Sequence, residues 1–296
     1  MKGVSGMNYP HKGSTRTGWR PRALEEAAWS DACGLDDLAL LDDGHTAYTT
    51  QLDLDDRWPV RWTTTWNSGP NTSVTYPVQD LNEVDFSHTV PVRRFTWRTD
   101  QEHRPDLAYM TATDRHHGFE SFEEECLLVV ADFAADLVEA LCQPFRLRFY
   151  VGGKKVDHTP DYLLLTRHGP VVVDVRPAGR IRPRDSLKFA AAAEAALSAD
   201  WRFAVVTGWR THVWGAVDAM SAERRPLDNV LGIQGQLRRA VTQGTLRYGE
   251  LVERCSLPAV ARAHALHLLW RQELGVDLSG PYGDESLVRL APRMPS

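Results

Sequence analysis

Apolar and polar positions change rhythm several times along the 296-residue chain. Residues 1–22 are polar, rich in Gly, Ser and Thr, and follow neither a helical nor a strand period, so a disordered N-terminal segment is expected there. From 23 to 113 the pattern is irregular. Trp58, Trp62, Trp66 and Trp97 stand among Thr, Asp and Pro, and TYPVQDLNEVDFSHTVPVRRFTW suggests short strands and loops of an accessory region. At Phe119 the rhythm turns helical: FESFEEECLLVVADFAADLVEALC places Phe122, Leu127, Val130 and Phe133 near helical spacing, with acids at the start where the macrodipole favours them. This predicts one helix, with a break near Asp132 as an option, ended by Gln143 and Pro144. Next, PFRLRFYVGGKKVDHTPDYLLLTRHGPVVVDVRPAG reads as strand, Gly-Gly turn, strand, His168-Gly169 turn and a strongly β-branched strand. An alanine-rich helix, RDSLKFAAAAEAALSAD, and a short apolar strand, WRFAVVTGW, complete an α-β-β-β-α-β order over residues 114–210. In 211–296 three helical patterns, NVLGIQGQLRRAVTQG, RYGELVERCSL and PAVARAHALHLLWRQELG, suit a helix-turn-helix. There Pro258 fits a first helical turn, Gly275 a C-cap, and VDLSGPYGDESLVRL a wing.

Bulk numbers narrow the class. A hydrophobic fraction of 43% with 25% charged residues is ordinary for a globular protein, and 296 residues call for a main domain plus smaller modules. No apolar run has bilayer-crossing length and the first residues lack a secretory segment, so a cytoplasmic protein without membrane partners is expected. Cys33, Cys126, Cys142 and Cys255 lie far apart and read as free, mostly buried thiols. With a net charge of -5, nucleic acid can be met only through a local basic surface. Acids crowd the N-terminal part, whereas Arg176, Arg180, Arg182 and Arg184 mark residues 167–188 as the phosphate-facing stretch.

The chemistry concentrates in Thr159-Pro160-Asp161 and Val173-Asp174-Val175-Arg176, two aspartates on adjacent strands of one hairpin, with Asp174 and Arg176 on one face by alternation. Close carboxylates repel unless a cation stands between them, and a hard divalent ion with oxygen ligands, Mg2+ or alternatively Mn2+, is the usual answer. Such an ion lowers the pKa of a bound water and stabilises a phosphodiester under attack. A third carboxylate is available from Glu120, Glu123, Glu124 or Glu125.

This E...PD...DxR order resembles the PD-(D/E)xK nuclease motif with Arg176 in the lysine place. Four blocks, HGFESFEEE, LCQPFRLRF, HTPDYLLL and VVVDVRPAG, resemble the TnsA-type endonuclease subunits of heteromeric transposases. The resemblance spans about 115–208 and implies an α/β (α+β) chain: a restriction-endonuclease-like PD-(D/E)xK core at 114–210 and a C-terminal winged-helix-like domain at 211–296. It assigns the helix glutamate to Glu124, with Glu123 as fallback, the metal-binding aspartates to Asp161 and Asp174, and a further ligand to the Val175 carbonyl. Arg176 takes the water-orienting place. A guanidinium stays protonated and acts by electrostatics rather than as a base, and Lys188 is a candidate stand-in for the missing lysine. Arg180, Arg182, Arg184 and Lys188 are the expected DNA contacts.

The implied activity is Mg2+-dependent cleavage of the 5′ ends of a mobile element, alongside a TnsB-like DDE transposase and an AAA-type ATPase regulator. The alternative is a catalytically weakened nuclease fold that binds DNA and assembles the transposition complex. Blander roles go to His116 and His117 as surface or capping groups, and to the tryptophans as packing residues. Arg254, Arg262, His264, His267 and Arg271 would form a modest recognition surface on the C-terminal helices.

Overall fold

The computed structural model describes residues 29–69, 72–93, 106–134 and 136–292; the expected disordered segment 1–22 and Trp97 lie outside the described residues. The chain begins with α1 (Leu35–Leu38), β1 (Ala39–Asp42) and α2 (Trp58–Arg61), then the hairpin β2 (Thr63–Gly69) and β3 (Thr72–Pro77), and the ribbon β4 (Asp106–Met110) and β5 (Arg115–Phe119). There follow α3 (Phe122–Phe133), β6 (Leu137–Cys142), β7 (Phe145–Val151), β8 (Lys154–His158), β9 (Tyr162–Thr166) and β10 (Gly169–Val175). Next come α4 (Pro183–Ser198), β11 (Arg202–Trp209), α5 (Val213–Ser221), α6 (Ile233–Ala240), β12 (Leu246–Arg247), α7 (Tyr248–Glu253), α8 (Pro258–Trp270), β13 (Leu274–Val276) and β14 (Leu287–Leu290).

The result is a mixed α/β chain of the α+β kind. Its five-stranded sheet runs β1-β11-β10-β9-β6, and β10 with β11 is the parallel pair in an otherwise antiparallel ladder. Within this sheet the order α-β-β-β-α-β holds as α3, β6, β9, β10, α4, β11, but with a different first strand. The predicted helix stops at Phe133, and Leu137–Cys142 is a strand paired with β9. Tertiary pairing overrides the helical propensity of LVEALC. Strands β7 and β8 leave this sheet for a second one, ordered β3-β2-β7-β8. Segment 23–113 therefore contributes to both sheets, giving β1 to the first and β2 and β3 to the second.

Alternation along β10 divides the interior in two. Val171 and Val173 join the cluster of α3 and the C-terminal helices, whereas Val172 joins α4 and the second sheet. Helix α4 fits between two sheets because its inward residues are small: Ala190, Ala191, Ala192, Ala195 and Ala196 are buried there beside Trp66, Phe145, Leu147 and Phe149. Trp62 and Trp66 are buried in the same cluster, as packing residues. None of the four cysteines is in a disulfide, and burial pushes the Cys126 and Cys142 thiols up to about 12 and about 11, out of the nucleophilic range.

The C-terminal helices differ from expectation in what they expose. Ala261, Ala265, Leu268 and Leu269 of α8 are buried in the cluster shared with α3, and Trp270 packs 5.4 Å from Phe133. His264 and His267 are buried, His267 Nδ1 bonding the Glu223 carbonyl at 2.8 Å, and Arg262 forms a two-pronged pair with Asp284 at 2.6 and 3.1 Å. Of the five residues expected to form a recognition surface, Arg254, Arg262 and Arg271 are exposed, Arg262 within its pair with Asp284, and the two histidines are not. Gly275 is not a helix cap but a β13 residue, and an added Cβ would collide with the Asp31 carboxylate. Asp31, its side chain fully covered, pairs with Arg289 at 2.9 Å and so ties the start of the described chain to β14. Gly275→Ala is expected to cost about 1–3 kcal/mol through this overlap, measured by urea unfolding; an unchanged midpoint would show that Asp31 yields freely.

Candidate functional site

The ends of β6, β8, β9 and β10 meet at one place. Asp161 stands one residue before β9 and Asp174 one residue before the end of β10. The Asp161 carboxylate accepts the Val175 N–H at 2.8 Å, which clips the Pro-Asp turn to the Asp-x-Arg strand. Asp174 is 2% exposed and its Oδ2 lies 3.0 Å from His158 Nε2. The His158 ring in turn meets Phe189 of α4 edge-on at 6.2 Å. One oxygen of each aspartate is occupied by these bonds, and the other is left for a further partner.

Glu124 lies at the start of α3 and does two things at once. With Ser121 it caps the helix: Ser121 Oγ accepts the Glu124 N–H at 3.2 Å, and the Glu124 carboxylate accepts the Glu120 N–H at 2.8 Å and the Ser121 hydroxyl at 3.3 Å. Tyr162 O–H, donating to the Gly118 carbonyl at 2.8 Å, also stands 3.5 Å from Glu124 Oε2. The fallback Glu123 points instead toward Arg180, 3.8 Å away.

Asp161 and Asp174 fall opposite one another, one step past the Tyr162–Val173 pair of the β9–β10 ladder. Burial, then the charges of Asp174 and Glu124, hold the Asp161 carboxyl well above the ordinary carboxylate range, against a smaller lowering by the Val175 N–H and Arg93. Burial also raises Glu124, with the Glu120 charge adding to it and the hydrogen bond from the Glu120 N–H opposing it. As they stand, no three His, Cys, Asp or Glu side chains among the described residues are gathered closely enough to grip one ion. Each carboxylate has turned to a local donor. What remains, two neighbouring aspartates with an unoccupied oxygen each and net repulsion between them, fits Mg2+, which binds through one or two carboxylates and keeps several waters.

Arg176 shares the α4 face with Asp174. Its guanidinium approaches Asp185 of α4 at 3.6 Å, and its Nε is buried without a hydrogen-bond partner. Lys188 is half-buried one turn beyond Asp185, while Arg180, Arg182 and Arg184 are exposed beside the site. Three neighbours escape the sequence patterns. His158 sits three residues before Asp161, and a strand ending in HTP gave no cue that its ring would reach Asp174. Arg93, paired with Glu120 at 2.6 Å, comes from the irregular region. Gln143 donates its N–H to the Asp161 carbonyl at 2.7 Å. The expected surface role fits exposed His116 but not His117, which is buried between the Ala140 carbonyl at 2.9 Å and the Thr113 hydroxyl at 2.7 Å.

A raised folded-state pKa for Asp161 means that the folded protein binds its proton more tightly than the unfolded chain. That contribution is fully present below the ordinary value of 3.8 and is lost as pH rises through the raised one. In chelator at pH 7.5, Asp161→Asn should therefore melt several degrees above the wild type, with the gap closing toward pH 4; a lower melting temperature at pH 7.5 would contradict the assigned repulsion. Comparisons with family models and with curated proteins return no match for this chain.

Proposed function

We propose that this chain is a metal-dependent DNA endonuclease subunit with a PD-(D/E)xK-type core, which cleaves the 5′ ends of a mobile element together with a DDE-type transposase. The observation that carries this reading is the clip between Asp161 and Val175, which brings the Pro-Asp and Asp-x-Arg motifs together at one strand end beside Glu124. The α3-β6-β9-β10-α4-β11 order is consistent with that core. The run α6-β12-α7-α8-β13-β14, with a sheet ordered β12-β14-β13, supports a winged-helix-like C-terminal module.

Asp161, Asp174 and the Val175 carbonyl are the groups that would hold Mg2+ or Mn2+, with Glu124 joining once released from its cap. When bound, the ion supplies charge for the phosphoryl oxygens and a water of lowered pKa. The chain's own residues do the rest. His158 holds the Asp174 carboxylate in place through its 3.0 Å contact. Arg176 keeps its proton, so it cannot act as a base, and its unpartnered Nε–H is a donor suited to a phosphate oxygen. Asp185 keeps that guanidinium beside α4. Arg180, Arg182, Arg184 and Lys188 form the local phosphate-facing surface that the net charge of -5 otherwise denies the protein.

The test is cleavage of a supercoiled plasmid by this chain together with a DDE-type transposase, the plasmid carrying the ends which that transposase binds. Cutting is expected to need Mg2+, to vanish in Asp161→Ala and Asp174→Ala, and to fall on the order of 100-fold in Arg176→Ala, the usual effect of losing one transition-state donor. Undiminished cutting in both aspartate variants would sink the site. Arg176 also motivates the second reading, an assembly subunit bridging the transposase and an AAA-type ATPase. That reading gains if the wild type is silent and Arg176→Lys cuts, and loses if the wild type cuts as well as the Lys variant.

A further inference from the structure

Gln143 is left unused by the chemistry above, yet its position is costly. It stands between β6 and β7, one step past the Cys142–Tyr162 pair, so it lies opposite Asp161 in the ladder. Opposite residues of an antiparallel pair project to the same face, with Cβ atoms about 5 Å apart. Its backbone adopts φ 44°, although a following proline steers a residue toward extended conformations. The residue is 3% exposed, and its Oε1 is buried without a hydrogen-bond partner.

A buried acceptor with no donor is unfavourable, and a methionine of similar length would fill the same space without that penalty. One step past the Cys142–Tyr162 and Val173–Tyr162 pairs, Gln143, Asp161 and Asp174 take neighbouring positions of one row across β6, β9 and β10, so its face is shared with two carboxylates that offer it no proton when ionised. With both aspartates ionised, the partner that satisfies an amide oxygen on that face and the two carboxylates together is a hard cation, which takes carbonyl oxygens along with carboxylates and water. Backbone strain held by two main-chain bonds, Gln143 N–H to the Asp161 carbonyl at 2.7 Å and Val92 N–H to the Gln143 carbonyl at 3.0 Å, fixes the residue in this place.

We infer that Gln143 is a further side-chain ligand of the site: its amide oxygen belongs to the oxygen shell of the divalent cation whose other ligands are Asp161 and Asp174. This rests on the metal-dependent reading above and extends its ligand set to the β6–β7 turn.

Calorimetric titration of the full chain with Mn2+, paired with melting curves in chelator and in Mn2+, tests it without any cleavage assay. Gln143→Met is expected to melt in chelator at or above the wild-type temperature. Its Mn2+ affinity should be weaker by about tenfold or more, and its Mn2+-induced rise in melting temperature correspondingly smaller. Gln143→Glu, which keeps an oxygen ligand, should melt lower in chelator and still bind Mn2+. If wild type and Gln143→Met bind Mn2+ equally, the Gln143 assignment is overturned and the metal site stands. If the wild type binds no Mn2+, the metal-dependent reading falls and takes this assignment with it. Should Gln143→Met fail to fold, Gln143→Leu takes its place: weakened Mn2+ binding supports the ligand role and unchanged binding refutes it.

Discussion

Crowding of carboxylates at one strand end, Asp174 buried and Asp161 and Glu124 half-buried, is the constraint that the surrounding fold has to hold against. Asp161 cannot shed its charge into solvent easily, and Asp174 and Glu124 press on it from two sides. A chain left to itself would splay these groups apart. They stay together because the elements that carry them are committed elsewhere: β9 and β10 to each other, β10 to β11, and α3 to a large apolar cluster. The apolar burial on both faces of the sheet supplies the stability that this cluster withdraws, the common pattern at sites that need charge in a fixed place.

The second sheet explains how the site gains its outer residues. Strand β8 pairs with β7 and β7 with β2, so the hairpin belongs to the second sheet rather than to the first. Its last residue, His158, is thereby delivered to Asp174 just before the chain turns into Pro160 and Asp161. The same sheet brings residues 90–93 alongside: Val90 bridges to Asn67 and Val92 bonds to Gln143, which leaves Arg93 next to Glu120. A region with no legible motif thus supplies the positive charge that offsets part of the cluster.

What the sequence revealed and what it concealed have physical causes. The β-branched run before Asp174 and the Gly-Gly turn at 152–153 are strong local signals, and both strands and turn stand where expected. The aspartate pair was legible because it is local to one hairpin. Leu137–Cys142 was not, since Leu, Ala and Glu favour a helix and the pairing with β9 that makes it a strand lies more than twenty residues away. Gln143 and Arg93 matter through a ladder position and an ion pair formed across the fold, and neither leaves a period in the sequence. His267 looked like a surface group because its partner, the Glu223 carbonyl, is 44 residues distant.

The C-terminal module shows that element order and surface chemistry are separate questions. In a free-standing helix-turn-helix, the second helix keeps one face for a DNA groove. Here α8 is alanine-rich and apolar on most sides, and small residues let it settle against α5, α6 and α7 until its histidines are covered. Arg262 stays exposed but is engaged by Asp284. On the endonuclease reading this shifts the burden of holding DNA to the exposed arginines after β10 and to the partner transposase. The helical module meets α3 at both of its ends, through Trp214 of α5 on Phe122 and through Trp270 of α8 on Phe133, so the helix that carries Glu124 is held by contacts outside the carboxylate cluster.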